Sequence, residues 1–249
     1  MRRTPIRDIA SIILAGGKGV RMESDLPKVI HLLRDKPLIL YVIDNLRNAG
    51  ISDIITVVGY RGEMVVDVIG PDVKHVWQHE QLGTGHAVMQ AEEALADFKG
   101  TVVIACGDVP LIKPSTFKTL IDESGRDGVK AVVLTMVLEK PAGYGRIIKD
   151  GQDRFVRIVE EKDASPEEKA IKEVNTGTYA FDKDFLFEGL KKINRNNAQG
   201  EYYLPDALNH VLASGYAVKT VVLDDPVEGS GINTRNDLEA VASFLALHN

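Results

Sequence analysis

A glycine-rich segment near the amino terminus carries residues that could bind a phosphate chain. Gly16, Gly17 and Gly19 follow a short apolar run, and Arg21 and Lys28 come soon after them. Glycines let backbone N–H groups approach an anion closely. An arginine adds a fixed fork of donors and a lysine adds a mobile point charge. The segment therefore predicts polyphosphate binding, with a tight strand-to-loop connection as the alternative.

Two common phosphate-binding patterns do not fit this segment. Lys18 is not followed by Ser or Thr in a G-x-x-x-x-G-K frame, and Met22 stands where the dinucleotide fingerprint needs its third glycine. A P-loop and a dinucleotide site are therefore not expected.

A carboxylate follows an apolar run in the middle of the chain. Asp108 comes soon after Thr101–Ala105, an unbroken apolar run that is typical of a buried strand. Mg²⁺ keeps several waters and takes one or two protein carboxylates together with substrate phosphates. Asp108 is therefore a candidate metal ligand. We interpret the neighbouring Cys106 as a small packing residue, because no base that could activate its thiol is evident.

A third segment, Gln78–Ala87, combines an amide, glycines and a hydroxyl. The side-chain amide of Gln78 offers a donor and an acceptor side by side, which suits the hydrogen-bonding edge of a nucleobase. Gly83 and Thr84 could add backbone and hydroxyl hydrogen bonds. An alternative function for Thr84 is to cap the helix predicted from Gly85 to Ala96.

The elements that must position these residues alternate along the chain. The predicted strands of the first part are Ser11–Ala15, Ile54–Val58, Val73–Trp77, Thr101–Ala105 and Val129–Leu138. The predicted helices are Leu38–Asn48, Glu63–Ile69, Thr84–Ala96 and Ser115–Glu123. This alternation is typical of parallel βαβ units. Since ligands of open α/β sheets bind at the carboxyl ends of strands, we expect the site at the loops after Ala15, Ala105 and Leu223.

The pattern changes between residues 139 and 216, where the predicted strands are shorter and interrupted by polar residues. These strands are Gly145–Lys149, Phe155–Glu160 and Thr178–Phe181. An apolar strand, Ala217–Leu223, and a helix, Arg235–Leu247, follow. The sequence therefore predicts an α/β fold, with a Rossmann-like, mostly parallel sheet flanked by helices and a smaller mixed lobe.

Composition excludes several classes of protein. The 249 residues include 30 basic and 36 acidic side chains, a net charge of −6, which disfavours nucleic-acid binding. The apolar run Ile9–Ala15 is shorter than the roughly 20 residues of a membrane span, so no membrane partner is expected. Arg2, Arg3 and Arg7 precede that run, but no small-residue cleavage site follows it. With a single cysteine as well, we expect a cytoplasmic protein.

The segment Leu14–Lys28 resembles the opening signature of the sugar-1-phosphate nucleotidyltransferases, L-A-x-G-x-G-T-R-M with P-K downstream. Continued by Val29–His31, it is most similar to bacterial N-acetylglucosamine-1-phosphate uridyltransferases. Val20 stands where the family usually has Thr, and it lacks that hydroxyl. The resemblance extends from about Ile12 to about Leu238 over seven ordered motifs.

The resemblance implies roles for individual residues. It assigns catalysis to Arg21, Lys28 and Asp108. It assigns nucleotide binding to Leu14, Ala15, Gly16, Gly17, Gly19, Gln78, Gly83 and Thr84. It pairs Asp108 with Asn233 as ligands of Mg²⁺, the expected cofactor.

Three further motifs, around Gly145, Glu160 and Asn175, are similar to the sugar-binding segments of the family. A turn, a surface charge and a capping asparagine are the alternative interpretations of these three residues. The resemblance implies one nucleotidyltransferase domain over residues 1–249. Its nucleotide-binding lobe would comprise residues 1–138 and 217–249, and its sugar-binding lobe residues 139–216.

The expected reaction is transfer of UMP from UTP to N-acetylglucosamine 1-phosphate, which yields UDP-N-acetylglucosamine and pyrophosphate. Alternatives are transfer to another sugar 1-phosphate such as glucose 1-phosphate, a non-catalytic UDP-sugar-binding regulator, and a subunit active only with a separate acetyltransferase. Bifunctional family members continue into a β-helix that acetylates the amino sugar, an activity not expected of these 249 residues. The oligomeric state is left open.

Overall fold

A computed structural model describes residues 8–247. Arg2, Arg3 and Arg7 therefore lie outside the described residues. The strands are β1 Asp8–Ala15, β2 Leu32–Leu33, β3 Lys36–Pro37, β4 Asp53–Val58, β5 Lys74–Trp77, β6 Gly100–Cys106, β7 Val129–Val137, β8 Arg146–Lys149, β9 Phe155–Val159, β10 Glu173–Asp182 and β11 Ala217–Val222. The α-helices are α1 Leu38–Asn48, α2 Gly62–Ile69, α3 Thr84–Met89, α4 Pro114–Ser124, α5 Pro166–Lys169, α6 Lys183–Leu190, α7 Leu208–Ala213 and α8 Arg235–Leu247.

One sheet dominates the molecule, with the strand order β11-β7-β10-β6-β1-β4-β5. The central strand β1 pairs in parallel with β4 and β6, whereas β10 runs antiparallel to β6 and β7. The carboxyl ends of the six parallel strands therefore lie along the same edge. This arrangement confirms the expected α/β class with a mostly parallel sheet.

Helices cover both faces of the sheet because its inner strands are apolar at consecutive positions. In β1, Ile12 and Ile13 are both fully buried but belong to different hydrophobic clusters. The same holds for Val102 and Val103 in β6. Successive side chains of a strand point to opposite faces, so an unbroken apolar run is the pattern that a doubly covered sheet requires.

A third hydrophobic cluster anchors the last helix. Val241 and Leu238 of α8 pack with Leu33, Leu38 and Ile232. Ile232 directly precedes Asn233, so this packing holds the loop that carries one of the residues assigned to metal binding.

Helix α3 is shorter than the sequence predicts, ending at Met89 rather than Ala96. After it, the backbone N–H groups of Gln90 and Ala91 bond three residues back, to Ala87 and Val88, which tightens the chain into turns. Ala91 and Leu95 are still buried. The apolar spacing thus predicted burial correctly but not the hydrogen-bond pattern.

The segment expected to form a smaller lobe is joined closely to the sheet. β8 and β9 form an antiparallel pair that contacts β10 through Arg146 and Val174. β10 itself lies between β6 and β7. The division into two lobes is still a prediction. No helix among residues 8–247 is both long and apolar enough to span a bilayer.

Candidate active site

The glycine turn follows β1 and is built by close backbone contacts. A Cβ on Gly59 would lie 2.7 Å from the carbonyl oxygen of Gly16, and Tyr60 donates its backbone N–H to that oxygen at 3.0 Å. Gly19 adopts φ 64°, which favours glycine. The following turn buries Met22 and exposes Val20. The turn is therefore fixed against the end of β4.

Lys28 packs directly on this turn. Pro27 precedes the short 3-10 turn Lys28–Ile30. A Cβ on Gly19 would lie only 2.6 Å from the Cβ of Lys28. The absence of a side chain at Gly19 thus allows the lysine to lie beside the glycine turn.

Four polar side chains from three separate segments meet next to it. The Lys28 ammonium pairs with the Asp108 carboxylate and donates to Asn233 Oδ1 at 2.9 Å. Arg21 also donates to Asn233 Oδ1, at 2.9 Å. The structure therefore brings together all four residues that the resemblance assigns to catalysis and metal binding.

Backbone hydrogen bonds hold Asp108 and Asn233 in this place. Gly107 donates its N–H to the Leu14 carbonyl at 3.0 Å, and Ile232 donates to the Asp108 carbonyl at 2.9 Å. The Asp237 carboxylate accepts the backbone N–H of Asn233 at 2.9 Å. The ends of β1 and β6 and the start of α8 are thus tied to one another.

The donor set fits a magnesium ion. Asp108 supplies carboxylate oxygens and Asn233 an amide oxygen, both facing the Lys28 ammonium. Among residues 8–247, no group of three His, Cys, Asp or Glu side chains could hold a metal by itself. Two protein oxygens are enough for Mg²⁺, which completes its coordination with water and phosphate oxygens.

Gln78 lies on the other side of the glycine turn and is buried. Its Nε2 donates to the Gly83 carbonyl at 3.1 Å and lies 3.2 Å from His86 Nδ1. A Cβ on Gly16 would lie 2.8 Å from Gln78 Oε1. The Gln78 amide is therefore held next to the glycine turn.

Thr84 does not cap a helix, so the capping interpretation is wrong. Gly83, with φ 108°, occupies the capping position of α3. The Thr84 hydroxyl instead accepts the backbone N–H of Leu204 at 3.1 Å. A Cβ on Gly83 would lie 2.6 Å from the Tyr202 carbonyl oxygen. The segment therefore packs on a distant loop, which the local sequence could not reveal.

The three residues assigned to the sugar lie together. Asn175 donates its backbone N–H to the Gly145 carbonyl at 2.9 Å, and a Cβ on Gly145 would lie 3.2 Å from Glu160 Oε1. Asn175 lies buried within β10, and its side chain donates to the Tyr179 hydroxyl at 2.6 Å. Asn175 also accepts the backbone N–H of Gly177 on Oδ1 at 3.0 Å, so it caps a local turn within β10 as the alternative interpretation expects.

Glu160 is partly buried rather than a simple surface charge. Burial raises the pKa of its carboxyl, and the neighbouring carboxylates of Asp163, Asp206 and Glu201 raise it further. Such a group is suited to accept hydrogen bonds from a neutral, hydroxyl-rich ligand.

A cavity of about 360 Å³ joins the glycine turn, Gln78 and Asp108. Its lining includes Leu14, Ala15, Gly16, Gly17, Lys28, Gln78, Gly83, Thr84 and Asp108. It also includes two polar residues that the sequence analysis did not select, Gln81 and Glu201. Gln81 lies within the segment Gln78–Ala87 and could have been found there. A larger groove of about 940 Å³ runs along β11, away from these residues.

Cys106 lies beside the cavity in a packing position. Burial raises the pKa of its thiol to about 12, and the Asp108 carboxylate raises it as well. Its Sγ contacts the Gly177 carbonyl at 3.5 Å. A protonated, partly buried thiol fits the interpretation of Cys106 as a packing residue.

Comparisons with known proteins agree with this geometry. The family model described as nucleotidyl transferase matches residues 10–226. "Bifunctional protein GlmU" of Oceanobacillus iheyensis is 46% identical over 225 residues, which cover 90% of this chain and 50% of that protein. The protein of the same name from Streptococcus agalactiae is 48% identical over 225 residues, 90% of this chain and 49% of that protein. The chain thus spans about half the length of these curated relatives.

A solved structure shares the fold. A Bacillus anthracis protein described as a candidate glucose-1-phosphate thymidylyltransferase, crystallised with sucrose, matches with a TM-score of 0.74 and 21% identity. The match covers 95% of this chain and 94% of that one. Because the family model spans most of the chain and the architecture agrees with it, this chain belongs to the nucleotidyl transferase family.

Proposed function

We propose that the protein transfers UMP from UTP to N-acetylglucosamine 1-phosphate, with UDP-N-acetylglucosamine and pyrophosphate as products. The observation that carries this proposal is the meeting of Lys28, Arg21, Asp108 and Asn233 beside the glycine turn. The similarity to proteins named GlmU supports the choice of nucleotide and sugar.

The main physical difficulty of such a reaction is that two polyanions must approach each other. In the proposed reaction, a phosphate oxygen of the sugar 1-phosphate attacks the α-phosphorus of UTP and pyrophosphate leaves. Catalysis then consists mainly of positioning and charge stabilisation. Arg21 and Lys28 supply two positive charges, and the Gly16–Gly19 turn lies close enough to offer backbone N–H groups.

We further propose that Asp108 and Asn233 hold Mg²⁺. When bound, the ion would neutralise phosphate charge between the two reactants. Lys28 contacts both of these side chains, so its ammonium must share them with the metal or move toward the phosphates when substrates bind.

The residues proposed for the sugar are Gly145, Glu160 and Asn175. They lie together and offer a backbone group, a carboxylate and an amide, which suit sugar hydroxyls and an acetamido group. Gln78 and Gly83 are proposed to bind the uracil.

The test is to incubate the purified protein with UTP, Mg²⁺ and a panel of sugar 1-phosphates, and to measure pyrophosphate release. We expect the highest kcat/KM with N-acetylglucosamine 1-phosphate. A higher value with glucose 1-phosphate would reassign the sugar. Binding of UDP-sugar without any pyrophosphate release would indicate a regulatory protein and contradict the proposal.

The matched variants for this test are Asp108→Ala and Asp72→Ala. We expect Asp108→Ala to lower kcat by at least ~10²–10³, the typical cost of losing one charged contact to a transition state. Asp72 is exposed and outside the site, so its variant should retain wild-type turnover. Near-normal pyrophosphate release by Asp108→Ala would contradict the proposed metal ligand.

A further inference from the structure

Arg235 is the first residue of α8, and its side chain reaches the 3-10 turn Val20–Met22, which carries Arg21. The guanidinium donates through Nε to the Met22 carbonyl at 3.2 Å. It also donates through Nη2 to the Glu23 carbonyl at 3.2 Å. One arginine therefore joins the start of α8 to the end of the turn that follows the glycines.

These two carbonyl groups lie at a point where the backbone is unusual. The last carbonyls of a helical turn have no partner within that turn. Glu23 also adopts φ 49°, a left-handed conformation that is uncommon for residues other than glycine. The Met22 and Glu23 carbonyls belong to the peptide groups on either side of the Glu23 Cα. By binding both, the guanidinium holds the backbone in this conformation.

The cap of α8 fixes the other end of the contact. The Thr234 hydroxyl accepts the backbone N–H of Asp237 at 3.1 Å. The Asp237 carboxylate in turn accepts the backbone N–H groups of Thr234 at 2.8 Å and Asn233 at 2.9 Å. This reciprocal pattern is that of a capping box. Because Arg235 lies between Thr234 and Asp237, its backbone is fixed relative to Asn233.

The turn held in this way carries a cation of the site. Arg21 is exposed, so packing does not fix its side chain, yet its Nη2 donates to Asn233 Oδ1 at 2.9 Å. We propose that Arg235 is a positioning residue that holds the turn Val20–Met22 and thereby keeps Arg21 beside Asn233. This inference rests on the proposed function, in which Arg21 faces the phosphates of UTP. Arg235 contacts backbone carbonyls, so its effect on the reaction must pass through the turn.

The test compares Arg235→Ala with Arg154→Ala. Arg154 pairs with Asp150 at 2.7 Å and lines the groove along β11, outside the site, so its variant should match the wild type. In Arg235→Ala we expect kcat/KM for UTP to fall about three- to tenfold, because one hydrogen-bonding group, Arg21, is no longer held in place. KM for the sugar 1-phosphate should stay within about twofold of the wild-type value.

Two further variants separate positioning from direct phosphate binding. In an Arg21→Ala background, Arg235→Ala should cause no further loss, since a residue acting through Arg21 has nothing left to position. Arg235→Lys should lose nearly as much as Arg235→Ala, because a single ammonium cannot span two carbonyls as the guanidinium fork does. A residue that bound phosphate directly would instead give an additive loss with Arg21→Ala and would retain much of its effect as lysine.

Hydrogen exchange gives a readout apart from turnover. The backbone N–H of Met22 bonds to the Gly19 carbonyl at 2.9 Å, and that of Glu23 bonds to the Val20 carbonyl at 3.2 Å. These two amides therefore report opening of the turn. In Arg235→Ala we expect both to exchange about three- to tenfold faster, with exchange in β11 unchanged.

Three results would overturn the inference. These are unchanged exchange of the Met22 and Glu23 amides in Arg235→Ala, an additive loss in the Arg21→Ala background, and a rise in KM for the sugar 1-phosphate as large as the loss in kcat/KM for UTP. Arg235→Lys is subjected to the same measurements, so the test remains available if the alanine variant does not fold. Failure of the wild type to release pyrophosphate would instead contradict the proposed function, and the exchange experiment would still test whether Arg235 holds the turn.

Discussion

Gln78 and Gly16 show how one missing side chain can shape a binding site. The Gln78 amide is buried and donates to the Gly83 carbonyl, while its oxygen lies 2.8 Å from where a Cβ of residue 16 would stand. A Cβ on Gly17, one residue further, would have no atom of the described residues within 4 Å. A side chain at residue 16 would therefore contact the Gln78 amide, whereas a side chain at residue 17 would not.

We expect Gly16→Ala to displace the Gln78 amide and so to weaken recognition of the base. The ratio of kcat/KM for UTP to that for CTP should fall about tenfold, as expected when a buried hydrogen-bonding group is misplaced. Gly17→Ala is the matched control and should leave this ratio unchanged, even if it alters phosphate binding. Equal ratios in the two variants would show that Gln78 does not select the base.

Glu160 links sugar binding to pH. Its pKa is raised in the folded state, so the folded protein holds this proton more tightly than the unfolded chain does. Its contribution to stability is therefore fully present below its ordinary pKa of 4.5 and is lost as the pH rises from there through the folded-state pKa.

The substitution Glu160→Gln should remove this loss of stability at higher pH. We expect the variant to gain stability relative to the wild type as the pH increases from about 4.5 to 7.5, measured by urea unfolding at each pH. Because the charged acceptor is lost, KM for the sugar 1-phosphate should rise about tenfold. A constant difference in stability across this pH range would show that Glu160 titrates normally.

At the scale of elements, a buried carboxylate joins helix α4 to the loop before Asn233. Glu228 is 6% exposed and accepts the backbone N–H of Lys113 at 2.9 Å, together with the Thr116 hydroxyl. It also pairs with the Lys113 ammonium at 3.1 Å. The 3-10 turn Pro226–Gly229 is thereby tied to the start of α4.

Glu228→Ala should lower the free energy of unfolding by about 1–3 kcal/mol, because it leaves donors at the start of α4 without this acceptor. Glu239→Ala, on the exposed face of α8, should change it by less than about 0.5 kcal/mol. Both changes in the free energy of unfolding are measured from urea unfolding curves. Equal stability of the two variants would mean that water replaces Glu228 at little cost.

At the scale of the whole molecule, the site depends on strand order. The ends of β1 and β6 are neighbours in the sheet, and the loop that precedes α8 packs across them. Segments that are far apart along the chain, near residues 21, 28, 108 and 233, thus meet at one place. The groove along β11 lies outside this arrangement.

Ligand binding should therefore protect distant segments together. With UDP-N-acetylglucosamine and Mg²⁺ at about 100 times their dissociation constants, we expect roughly 2.7 kcal/mol of added stability. Hydrogen exchange should slow in Gly16–Met22, Gly143–Gly145 and the loop at Gly231, but not in β11. Protection of only one of these segments would contradict a single shared site.

The sequence by itself determined most of the elements and the chemistry of the motifs. The α1 helix begins and ends where its apolar spacing predicts, and α8 does as well. The glycine turn, its cations and the carboxylate after β6 were found from residue types and short spacings. Such signals are local, because backbone periodicity and turn geometry depend on residues a few positions apart.

Tertiary structure decided which of these residues meet. Strand order and sheet register determine that Lys28 contacts both Asp108 and Asn233, and that Thr84 binds the Leu204 backbone rather than capping a helix. No local pattern encodes these contacts, because they join residues 80 or more positions apart through the packing of the whole sheet.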